Sequence, residues 1–135
     1  MEFSYAENTF SIRKPLFLLM EQAINKLRDQ ARPALAMQGK GCVYQNNKGE
    51  RCAVGHMFVG RIDTASSPLQ NLEIQTKLHA QLGFQLTQEE LRCLNVFQSK
   101  CHDDLRNAEP GEEFEDSLDA NWAFFKTRLV IKESE

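Results

Sequence analysis

Four side chains of this 135-residue chain have the chemistry of a metal centre or a nucleophilic site: Cys42, Cys52, His56 and His102. Two thiolates with one or two imidazoles are a ligand set for tetrahedral zinc. The spacing is not that of a zinc knuckle, because nine residues separate the two cysteines and no CxxC pair occurs. Small thiols packed as buried hydrophobes produce the same pattern, so both readings stand. His102-Asp103 invites a different chemistry, a Cys–His nucleophile oriented by an acid. Adjacent helical residues diverge by about 100°, however, so Asp103 cannot easily brace the ring of its own neighbour. Asp103 is expected to pair with Arg106 or to take a backbone donor, and His102 to bridge its helix to a backbone carbonyl. Cys93 and Cys101 are read as inert, with Cys101 on an apolar helix face. No phosphate loop, dinucleotide fingerprint, HExxH or GxSxG motif is present, which places binding ahead of catalysis.

The element that must position Cys42 and Cys52 is a β-hairpin. Asn46-Asn47-Lys48-Gly49 suits a type I turn, with Asn first and Gly fourth. Gly49 can take the left-handed conformation that completes a three-residue hairpin loop. This register pairs Asn46 with Glu50, Tyr44 with Cys52 and Cys42 with Val54. Cys42, Tyr44, Cys52 and Val54 then share one face, with the two cysteines diagonal at about 7–8 Å. A four-residue loop would set them on opposite faces.

Helices surround this ribbon. Leu16, Leu19, Met20, Ala23, Ile24, Leu27 and Ala31 recur at helical spacing, predicting a helix over 14–31 that Pro33 ends. Phe3, Tyr5 and Phe10 suit a short strand or packed arm. Gly55 and Gly60 bracket a short turn at His56-Met57-Phe58-Val59. A second helix opens at Ser67-Pro68 and stops at Gly83. Thr87-Gln88-Glu89-Glu90 reads as a capping box for a third helix over 88–107, with a polar edge of Asn95, Gln98 and His102. A fourth, over 112–131, buries Phe114, Leu118, Trp122, Phe125 and Leu129. The expected fold is α+β and mostly α: one domain over 1–135, with about four helices packed around one hairpin.

The net charge of −3 does not favour wholesale nucleic-acid binding. Residues 1–102 carry 12 basic and 9 acidic side chains, net +3, and residues 103–135 carry 4 and 10, net −6. The acidic end suits a basic partner or a solvated helix face, and its first-turn acids also suit a helix N-terminus. Lys40, Lys48 and Arg51 make a modest basic patch around the hairpin, a weak basis for DNA binding. With no signal-like segment and no apolar run long enough for a bilayer, four cysteines are expected to stay reduced in a cytoplasm.

Cys-x-Tyr at 42–44, Gly-x-x-Cys-Ala-Val-Gly at 49–55, Phe-Gln-x-x-x-His-Asp at 97–103 and a final helix with a Trp resemble a family of small proteins encoded by tailed bacteriophages and prophages. That family's pattern reads C-x-Y, G-x-x-C-A-x-G and Q-x-x-H-D, and the likeness spans about two thirds of the chain. This chain departs from it in having three residues between Gln98 and His102. It also has His56-Met57-Phe58 where relatives often run into an apolar pair and Pro-Asp. The resemblance implies an accessory protein acting in the bacterial host cytoplasm on a host or defence protein, and it transfers no catalytic residue. Tyr44, Arg51 and Asp103 are the candidate binding residues, and zinc is the one cofactor the ligand set suggests.

Overall fold

Phe10 and Ile12 are buried while Ser11 and Arg13 are half-buried, the alternation of a strand with one covered face. This strand, β1 (Phe10–Arg13), turns directly into α1 (Lys14–Gln30). Pro15 sits in the first turn, where its missing N–H costs no helical bond. The buried stripe is Leu16, Met20, Ala23, Ile24 and Leu27. Ala31 stops the helix in a left-handed conformation (φ 63°), two residues before Pro33, and donates its N–H to the Leu27 carbonyl. Its own carbonyl accepts the Gly111 N–H at 2.8 Å, tying this end to the start of the last helix.

The computed structural model describes residues 9–32, 51–57, 72–105 and 107–132, with backbone alone for 72–74 and 103. Beyond α1 come a 3-10 turn at Gly55–Met57, α2 (Leu72–Leu82), α3 (Gln88–Cys101), a 3-10 turn at Asp103–Leu105, α4 (Glu112–Lys126) and β2 (Leu129–Lys132). The fold is α+β and mostly α, as expected. No helix among the described residues is long and apolar enough to cross a membrane. Gly83 ends α2 with φ +85°, and its N–H reaches the His79 carbonyl. The capping box of α3 is complete: Thr87 Oγ1 accepts the Glu90 N–H, and Glu90 Oε1 accepts the Thr87 N–H, both at 3.0 Å.

The described sheet is a parallel pair, with Phe10 opposite Leu129 and Ile12 opposite Ile131; the expected hairpin, with its turn at Asn46–Gly49 and with Cys42 and Tyr44, lies outside the described residues. Two expectations need correction. The last helix stops at Lys126 and not at 131. Leu129 lies four residues after Phe125, which fits a helix face, but Leu129 and Ile131 turn inward while Val130 and Lys132 turn outward, as in a strand. The third helix stops at Cys101, where His102 leaves helical geometry (φ −144°), and Leu105 then seats in the core.

The centre is aromatic. Trp122 and Phe125 of α4, Phe97 of α3 and Phe10 of β1 are buried. Trp122 meets Phe97 edge-on at 5.7 Å, and Phe97 meets Phe125 at 5.9 Å. Such pairs add about 0.5–1.5 kcal/mol beyond the area they bury.

The sheet is fastened from one side by α3. The parallel register turns the N–H groups of Ser11 and Arg13 away from β2. Ser11 N–H donates to Glu89 Oε2 at 2.8 Å, and Arg13 N–H to Glu90 Oε2 at 3.0 Å. Glu90 is almost fully buried and also receives the Arg13 guanidinium on both oxygens. Burial alone would raise its carboxyl pKa, but the donors from Arg13 and Thr87 outweigh burial and hold it below the ordinary value. Glu90→Ala removes the side-chain half of the capping box, the ion pair and the strand-edge acceptor together, while the Thr87 Oγ1 bond to the backbone N–H at 90 remains. It is expected to cost about 3–5 kcal/mol, as for other buried pairs that lose one partner, measured by urea unfolding; a loss under about 1 kcal/mol would refute this account.

Candidate functional site

Residues 51–57 run through the interior without forming a helix or an extended strand beyond the 3-10 turn. Cys52, Ala53, Val54, Gly55 and Met57 are all buried. Buried backbone groups need partners, and local bonds supply only some: His56 N–H to the Cys52 carbonyl and Met57 N–H to the Val54 carbonyl, both at 2.9 Å. Three glutamines from three helices supply others. Gln30 of α1 accepts the Arg51 N–H at 2.8 Å and donates to the Arg51 carbonyl at 2.9 Å. Gln98 of α3 accepts the Val54 N–H at 3.0 Å, and Gln81 of α2 donates to the Met57 carbonyl at 2.8 Å.

These amides also fix two histidines. The Gln30 oxygen must face the Arg51 N–H, because an N–H can only donate. The same oxygen lies 2.9 Å from His56 Nε2, so that nitrogen carries the proton and Nδ1 holds the lone pair. The Gln30 nitrogen is engaged as well, reaching the Arg32 carbonyl at 2.6 Å. By the same reasoning, Gln98 turns its nitrogen to His102 Nδ1, at a long 3.5 Å, making Nδ1 the acceptor. Burial, then the charges of Arg51 and Lys26, then His102 push the half-buried His56 ring down to about 4. His56 is therefore neutral at pH 7.

The predicted site residues are only partly brought together. Cys52 and His56 share one turn, and His102 lies close enough to act on His56 electrostatically. Cys52 is fully buried and its Sγ accepts the Gly55 N–H at 3.2 Å. Arg51 folds one guanidinium nitrogen back to the Gly55 carbonyl at 3.3 Å. Asp103 opens the second 3-10 turn, and its side chain, with Arg106, Lys40 and Lys48, lies outside the described residues. Among the described residues, no three His, Cys, Asp or Glu side chains converge in a way that could hold a metal ion. Cys93 and Cys101 are fully buried. Burial, reinforced by nearby carboxylates, pushes the Cys93 thiol far up and Cys101 up to about 12. Neither forms an effective thiolate at neutral pH.

Sequence reasoning placed Gln98 beside His102 but passed over Gln30 and Gln81. Nothing in the local pattern marks a polar residue at a helix end as the partner of a loop distant in sequence. Compared with protein-family models, curated proteins and solved structures, the chain finds no match.

The His56 geometry sets a pH dependence. The unfolded ring titrates near its ordinary 6.5 and the folded one near about 4, so between these values the unfolded chain binds the extra proton. Stability is fully present above 6.5 and falls as pH drops toward 4. His56→Gln removes that slope in urea titrations across the window. Gln30→Ala removes both amide bonds to the Arg51 backbone and lowers stability by about 1–3 kcal/mol at every pH.

Proposed function

We propose that this is a small phage-encoded accessory protein that acts by binding in the bacterial cytoplasm, inhibiting or redirecting a host or defence protein. The observation that carries this reading is the engagement of the chemically capable side chains in the fold itself. Cys52 takes a backbone N–H, His56 and His102 are held by glutamines, and the Cys93 and Cys101 thiols are buried and inert. Recognition by the outer surface then accounts better for a function than turnover at these residues. The resemblance of the 42–55 and 97–103 motifs to phage proteins supplies the setting. Arg51, turned toward the Gly55 carbonyl, lends little to a nucleic-acid reading.

Capture from bacterial lysate, followed by mixing with the purified candidate, tests the proposal. The expected result is a stoichiometric complex with one host protein whose activity changes on binding. Cys52→Ala or His102→Ala variants that stay folded but abolish a turnover activity would replace binding with catalysis.

A second reading has one specific support: the Gly55 N–H on Cys52 Sγ is the kind of donor that stabilises a thiolate. Zinc held by Cys52 with Cys42 and a histidine, such as His56 through Nδ1, would use it. Elemental analysis of untagged protein decides the matter. At least about half an equivalent of zinc supports the centre; less returns Cys52 to a packing role.

A further inference from the structure

The two edges of the sheet are treated differently. The outer edge of β1 is closed by the carboxylates of Glu89 and Glu90. On β2, the register spends the N–H and C=O of Val130 on β1 and turns those of Leu129 and Ile131 outward. Among the described residues, no strand or side chain bonds to that outward row. An open strand edge is a template for a further strand.

The surroundings of this edge select its occupant. Val130 is 53 % exposed and Phe124, just upstream, 54 %. Lys126, Arg128 and Lys132 fall within seven residues of one another, in the last quarter of the chain, where acidic side chains outnumber basic ones by 10 to 4. Arg128 lies 4.7 Å over the Phe124 ring. A second copy fits poorly. The two-fold antiparallel register that joins Leu129 to Ile131 sets Arg128 opposite Lys132, and like charges directly opposite are destabilising. A nucleic acid would meet the cations but leave the backbone row unmet.

We propose that the outer edge of β2 receives an extended, carboxylate-bearing segment of a partner protein, added as a third strand. Its backbone pairs with Leu129 and Ile131, its apolar positions cover Val130, and its carboxylates meet Lys126 and Lys132. This rests on the binding reading above and names the partner's chemistry.

The probe is a labelled peptide alternating Glu and Val, followed by fluorescence anisotropy. The peptide is expected to bind, more weakly as salt rises, and to lose affinity when its backbone is N-methylated on one edge. Ile131→Pro removes an outward N–H without touching the β1 ladder, and should weaken binding by about tenfold or more. Lys126→Glu with Lys132→Glu should do the same, and keeps the test decisive should the proline variant misfold. No binding, equal binding of a Lys–Val peptide, preference for oligothymidylate, or self-association through this edge each overturns the proposal. If a captured host protein binds Ile131→Pro and the charge-reversed variant as tightly as the original, the accessory-binding reading survives and the edge assignment fails. If the peptide binds but no host complex forms, the reverse holds.

Discussion

A buried backbone that is neither α-helix nor extended strand must find many of its hydrogen bonds elsewhere, and residues 51–57 are such a stretch. Glutamine amides from α1, α2 and α3 meet it, each offering both a donor and an acceptor. This requirement governs much else. It sets the orientation of Gln30 and Gln98, which in turn sets the proton positions on His56 and His102. It also brings three helices to one loop, so the relative placement of those helices and the chemistry of the histidines follow from the same bonds.

The second node is Glu90. One carboxylate completes a helix cap, neutralises Arg13 and accepts a strand N–H. The result is an asymmetric sheet: the outer edge of β1 is closed by carboxylates, while β2 presents Val130 and Lys132 outward. Among the described residues, no strand meets the backbone groups that Leu129 and Ile131 turn away from β1.

Much of this was readable because it is local. The stripe of α1, the capping box at Thr87–Glu90 and the stop at Gly83 each arise within a few residues, and the structure has them. The stop of α3 at Cys101 had no such mark, since neither Gly nor Pro occurs between Gln88 and Glu109. Leu129 fits a helix face and a strand face equally well, and only pairing with β1 decides between them. A four-residue strand is too short for its alternation to stand out. The turn around His56 was legible, whereas the glutamines that hold it were not. Their pairings span 21 to 44 residues, and a lone amide on an amphipathic helix looks like ordinary solvent-facing polarity.

The parallel pairing of Phe10 with Leu129 has a consequence for biosynthesis. As the chain leaves the ribosome, α1 can form early and α3 can later engage β1 through Glu89 and Glu90, but β1 has no partner strand until the last described strand has been made. Contacts that join positions so far apart in sequence form slowly, because a long loop must close first. The aromatic centre around Phe97, Trp122 and Phe125 must likewise wait for α4. The nascent chain therefore holds α1 with the 51–57 turn against it but without α4 and β2 until synthesis is nearly done, an interval in which a chaperone would find its client.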